Sequence, residues 1–226
     1  MSITAKAFTA EEGLAATRFV DSDHPAVRDW ANDVVRGAGD DRERAVALFY
    51  AVRDGIRYDP YVSSPDPDDY RASVIVGRDR NWCVPKSILL TAGARAVRVP
   101  SLLGYADVRN HLASDKLLES MGTDVFAFHG YSTFLLDGRW VKATSAFNIE
   151  MCTRFGVKPI EFDGTEDALY HPFDEAGQRH MEYVRQRGEF VDFPWDEMSR
   201  VFQEIYGHLP GRDRDESPEH DPMFHD

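Results

Sequence analysis

The chain has 226 residues, 42% of them hydrophobic, which is enough for one domain whose core needs neither metal nor disulfide staples. A formal charge of -13 and a pI near 5.0 argue against nucleic acid or an anionic membrane as partner, because both would repel the average surface. Two cysteines, no charged-then-apolar leader and no apolar run of bilayer length point to a cytoplasmic protein, with a Cys83–Cys152 disulfide as the less favoured alternative.

Residues 1–20 mix short apolar and polar pieces and fit a strand or an extended arm. Ser22-Asp23-His24-Pro25 then offers a cap and an early proline, followed by Val27, Trp30, Ala31 and Val34 at amphipathic-helix spacing. After Gly37 and Gly39, Asp40-Asp41 opens a second helix carrying Ala45, Leu48, Phe49 and Val52, which Gly55 ends before an extended Ile56-Arg57-Tyr58. Residues 59–80, with Pro60, Pro65 and Pro67 among acids, read as a surface loop that could rim a cleft.

Asn81-Trp82-Cys83-Val84-Pro85-Lys86 places a cysteine at the start of a helix running on through Ser87, Ile88 and Ala92 until Pro100 closes it. A thiol there meets unpaired N–H groups and the positive end of the helix dipole, both of which favour the thiolate nucleophile. Leu102-Leu103-Gly104-Tyr105 reads as a strand, and residues 109–122 as a polar excursion containing His111.

Asp137-Gly138 between two aromatic and β-branched runs is a hairpin signal. That turn sets Leu136 opposite Arg139, and by extension Thr133 opposite Lys142, Tyr131 opposite Thr144 and His129 opposite Ala146. His129, Tyr131 and Thr144 then share a face, with Thr144 diagonal to His129 at roughly 7 Å between Cβ atoms. Beyond a mixed stretch with Cys152 and a Gly156 turn, Asp192-Phe193-Pro194 opens a last helix with Trp195, Met198, Phe202 and Ile205 on one side. Residues 1–206 are expected to form one domain, and 207–226 a disordered acidic tail.

Thiol chemistry needs a thiolate, a base and a group that fixes the base's tautomer. Cys83, His129 and Thr144 supply those types. Trp82-Cys83, Arg98-Val99-Pro100-Ser101-Leu102-Leu103-Gly104-Tyr105, His129-Gly130-Tyr131 and Asp137-Gly138-Arg139-Trp140-Val141-Lys142 together resemble the bacterial transglutaminase-like superfamily, over roughly residues 45–150. The resemblance implies a papain-like α+β fold, with a cysteine helix packed on an antiparallel sheet bearing a histidine. It implies Cys83 as nucleophile and His129 as general base, and it puts the family's aspartate position on Thr144, where this chain has no carboxylate. Asn148 is the other residue that could orient His129, although the register favours Thr144. Asn81 stands where many relatives have glycine.

Trp82, Tyr131 and His111 are candidates for contacting substrate or an oxyanion, each weighed against plain packing or solvation. No metal-ligand spacing links His171, His180 and the cysteines, no calcium loop lies among the acids, and no cofactor motif is present. The expected function is a cysteine-dependent hydrolase or acyltransferase acting on an amide or peptide-like bond of a peptide, protein or small amide through a thioester, with hydrolysis favoured over crosslinking. The alternative is a binding or scaffold protein that keeps the fold with a degenerate triad.

Overall fold

The fold is that of a computed structural model, which describes residues 8–111, 113–169, 176–177 and 180–207. Most of the N-terminal stretch fits no strand: a short 3-10 turn at Glu12–Leu14 follows residues 8–11, and residues 1–7 lie outside the described residues. The proposed tail, apart from Gly207, and His171 also lie outside them.

Two amphipathic helices come first, α1 (Pro25–Val34) and α2 (Asp41–Gly55). His24 rather than a serine or aspartate caps α1, its Nδ1 accepting from the Ala26 N–H, and Asp40 caps α2 through the Glu43 N–H. The segment expected to be loop runs from β1 (Arg57–Tyr58) to β2 (Arg80–Asn81), a short parallel pair. Between them it folds into a 3-10 turn (Pro67–Tyr70) and one turn of helix, α3 (Ala72–Ile75).

The next helix, α4 (Cys83–Ala96), is buried along its whole length except Ala96. Helices apolar or small on every side are those surrounded by protein, and this one is sandwiched between α1, α2 and α3 on one side and a sheet on the other. A Cβ on Gly93 would come 2.6 Å from the Trp30 ring, so the close crossing of α1 over α4 requires a glycine there. The polar residues of α4 are satisfied internally. Thr91 and Ser132 share a 2.9 Å hydroxyl hydrogen bond, and Arg95 donates to the carbonyls of Ser101, Ala15 and Val191.

The sheet has the order β5-β4-β3-β6 and is antiparallel throughout, built from β3 (Ser101–Asn110), β4 (Val125–Leu136), β5 (Arg139–Ala143) and β6 (Met181–Phe190). β3 is longer than the sequence pattern indicates, and the polar excursion after it holds α5 (Asp115–Met121), capped by Ser114. β6 is a largely polar edge strand without a clear alternating signal. After β5 comes α6 (Ile149–Phe155), ended by Gly156 in the left-handed region. The last helix, α7 (Trp195–Tyr206), buries Met198, Val201 and Phe202, whereas Ile205 is exposed instead of sharing their face.

Lys86 sits one turn into α4, fully enclosed, and its Nζ donates to the carbonyl of Arg53 at 3.0 Å and to that of Ile56. It thereby satisfies carbonyls at the end of α2, which otherwise lack helical partners. Burial lowers its pKa from 10.5 to about 7. Above pH 7 the folded state releases this proton while the unfolded chain keeps it up to about pH 10, so stability rises with pH by as much as about 1.4 kcal/mol per unit. We predict such a rise between pH 7 and 9 in urea titrations, and its loss in Lys86→Met.

Candidate active site

Cys83 is the first residue of α4, and Trp82, in extended conformation, precedes it as the cap. The first turn of α4 lies directly against β4. A Cβ on Gly130 would come 2.6 Å from Ser87 Oγ, 3.0 Å from the Cys83 carbonyl oxygen and 3.2 Å from Val84 Cα. Only a residue without a side chain permits that approach, and it sets His129 beside the cysteine. Cys83 and His129 line the same cavity, together with Trp82, Tyr58, Phe202 and Tyr206.

His129 is aimed by a bulge. Ala106 pairs with His129 and Val108 with Phe126, so Asp107 faces both Ala127 and Phe128, and Phe128 takes a φ of 57°. A bulky residue in the left-handed region needs outside support. Asp107 supplies it by accepting the Phe128 N–H at 3.1 Å and the Arg187 guanidinium at 2.6 and 2.8 Å. The same guanidinium lies 4.4 Å above the Phe128 ring. Tyr206 adds a second tie, accepting from the Ala127 N–H and donating to the Val125 carbonyl.

The hairpin register is as expected from Leu136–Arg139 through Thr133–Lys142 and continues to Ser132–Ala143. There the ladder ends, because the chain after Ala143 turns to bond Ala168, with the Thr144 N–H donating to the Ala168 carbonyl at 3.0 Å. The extended pairs Tyr131–Thr144 and His129–Ala146 are therefore not formed. Thr144 nonetheless reaches the imidazole: its Oγ1 is 3.4 Å from His129 Nε2 and 3.4 Å from the Gly130 carbonyl oxygen. A hydroxyl that donates to that carbonyl accepts from Nε2–H, which makes Nδ1 the basic nitrogen. The remaining orienting candidate, Asn148, is occupied elsewhere, accepting from the Tyr58 N–H and donating to Glu150.

Trp82 lines the cavity, packed edge-on against Tyr70, with its indole Nε1 facing the Tyr70 hydroxyl without a full hydrogen bond. Tyr131 does not line it. Its ring covers Gly104 on β3, where a Cβ would come 2.0 Å from the ring, and its hydroxyl donates to Glu189 at 3.1 Å. His111 lies exposed at the end of β3, 3.4 Å from Glu182, also away from the cavity. Cys152 and Cys83 are both free thiols, and no cluster of metal-ligating side chains occurs among the described residues. Phe126, Leu117, Met121, Phe202 and Tyr206 form much of the wall, yet in the sequence their spacing is that of ordinary core positions.

Burial governs the electrostatics. It pushes the Cys83 thiol up to about 12, against the pull of the Gly130 and Val84 amide groups and of its own, and it lowers His129 from 6.5 to about 3. The helix start alone favours a thiolate, but desolvation of a fully enclosed charge is larger. The resting pair is thus neutral thiol and neutral imidazole. Iodoacetamide should therefore alkylate Cys83 about tenfold faster per pH unit between pH 6 and 10; a plateau across pH 5–8 would reveal a thiolate–imidazolium pair instead. Asp107→Ala, which leaves the buried Arg187 with a 4.0 Å pairing to the more exposed Glu197, should lower stability by about 3 kcal/mol in urea titrations.

A model of the transglutaminase-like superfamily matches residues 28–145, just over half of the chain. Among solved structures, a candidate cysteine protease from Cytophaga hutchinsonii is 15% identical with a TM-score of 0.48, covering 85% of this chain and 50% of its own. A candidate protease from Parabacteroides distasonis is 14% identical with a TM-score of 0.34, covering 57% of this chain and 26% of its own. This chain thus spans half or less of each of those proteins. No curated protein matches it. With the cysteine helix packed on an antiparallel sheet bearing the histidine, and a family match over more than half its length, the chain belongs to the transglutaminase-like superfamily, with that family's papain-like α+β fold.

Proposed function

We propose that the protein is a cysteine-dependent enzyme that opens an amide or peptide-like bond through a thioester, with water as the usual acceptor. The observation that carries this reading is the shared cavity: Cys83 at a helix start and His129 on the adjoining strand open onto one space, with the Thr144 hydroxyl behind the imidazole. Cys83 Sγ attacks the amide carbon while its proton passes to His129 Nδ1, so no free thiolate has to accumulate. The tetrahedral oxyanion forms near the start of α4, where the Cys83 N–H is available as a donor. Collapse breaks the C–N bond, and His129 returns the proton to the departing nitrogen. Water, deprotonated by the same nitrogen of His129, then attacks the thioester and regenerates the thiol.

Thr144 holds the tautomer but brings no charge to offset the imidazolium as it forms. That absence, together with the neutral resting pair, favours a second reading in which the protein keeps the fold and binds ligands without turnover.

A screen of fluorogenic amides with wild type and Cys83→Ala separates the two. The enzyme reading expects release of amine that Cys83→Ala and His129→Ala abolish; a wild type with no Cys83-dependent release or acyl-enzyme mass across the screen overturns it. Thr144→Val removes one neutral hydrogen bond worth about 1 kcal/mol, so kcat should fall roughly fivefold with little change in KM.

A further inference from the structure

A second cavity adjoins the one that holds Cys83, and His129 stands in the wall of both. Tyr58, Leu117 and Phe126 are also shared, so the two are lobes of one cleft divided at the imidazole. The second lobe does not include Cys83. Its far wall is Phe147, Met151, Phe155 and Val157, from α6 and the residues around it, with Met181 of β6 alongside. Among the described residues lining it there is no Asp, Glu, Lys or Arg; its polar members are Asn110, His129, His180 and the Tyr58 hydroxyl.

Resting on the thioester mechanism above, we propose that this lobe receives the amine side of the scissile bond, and that it selects an amine component with an aromatic or branched aliphatic side chain. Proton transfer decides the side. The nitrogen that leaves must take its proton from His129, so it departs on the side of the imidazole, whereas the acyl carbon stays bonded to Cys83 in the other lobe. The lobe beyond His129 is therefore where the amine component lies. Burying a lysine or glutamate side chain against phenylalanine, methionine and valine, with no counter-charge, costs more than its stem recovers, while a phenylalanine or leucine side chain gains from every contact. The same chemistry excludes lysine and polyamines as preferred acceptors, which separates this protein from a lysine crosslinker.

By microscopic reversibility, an amine that attacks the thioester occupies the same lobe as one that leaves it. The test loads wild-type protein with p-nitrophenyl acetate, confirms the acetyl group on Cys83 by mass spectrometry, and offers equimolar phenylalaninamide, leucinamide, lysinamide and glutamic acid α-amide. In transfer, the Cys83 thioester C–S bond breaks, a C–N bond forms, the amine proton passes by way of His129 to the sulfur, and the N-acetyl amide is released. At least a tenfold excess of the phenylalanine and leucine products over the lysine and glutamate products is expected. Met151→Lys, on the far wall, should collapse that ratio. Equal or lysine-favouring transfer from a well-formed acetyl-enzyme overturns the lobe assignment and leaves the thiol mechanism standing. Failure to acetylate Cys83 at all removes both.

Discussion

The close approach of the first turn of α4 to the backbone of β4 is the contact on which the site depends. Gly130 makes it possible, because any side chain there would strike Ser87 and the Cys83 carbonyl. Packed at that distance, the cysteine and the residue next to Gly130 come to line the same cavity. The rest of the fold keeps the two elements fixed. Lys86 ties α4 to the end of α2, Arg95 ties its other end to three separate segments, and the Thr91–Ser132 hydrogen bond joins its middle to β4. Each is a buried polar contact whose loss leaves an unsatisfied group, so α4 has little freedom to slide along the sheet.

The second constraint lies on the strand. A regular β4 would continue its alternation through Phe128, and the direction of His129 would follow from that alone. The bulge interrupts it, and the Asp107–Arg187 pair, almost wholly enclosed, holds the bulged residue in a backbone region that phenylalanine seldom adopts. A buried ion pair of this kind is weak evidence for stability in itself, since well-packed apolar residues often do as well. Its role here is geometric, because the carboxylate takes the Phe128 N–H, one of the two that the bulge frees from the ladder, and the guanidinium covers the ring next to the histidine.

How much of this was readable in the sequence varies with the kind of signal. The Asp137-Gly138 turn, with φ of 49° and 76°, has a residue preference strong enough to fix five cross-strand pairs from the sequence. Cys83 at a helix start follows from its neighbours, and the family motif follows from both. What escaped had no local signature. The bulge falls on a phenylalanine instead of a glycine, so nothing in the sequence marks it. β6 is a polar edge strand, paired on one side and lacking clean alternation. The Thr144 contact was reached by a register that ends one residue too early, and it survives because Ala168 holds the departing chain close to the strand. Tyr131 shares parity with His129, yet its ring is drawn over Gly104 on the neighbouring strand. Periodicity assigns a face, but neighbouring side chains decide what a residue on that face touches.

The missing carboxylate is coherent with its surroundings. Thr144 Oγ1 lies between an imidazole nitrogen and the Gly130 carbonyl oxygen, so one hydroxyl accepts from the first and donates to the second. An aspartate at that buried position would set a negative charge against the carbonyl. The same surroundings keep the thiol and the imidazole neutral at rest. Under the proposed mechanism charge then arises only while the C–S bond is forming, in a space where the field of the α4 amides is least screened. A permanent charge relay costs most in such a cavity, and a fixed dipole aimed at the developing oxyanion gains most. The balance moves from the group behind the histidine to the helix start beneath the cysteine.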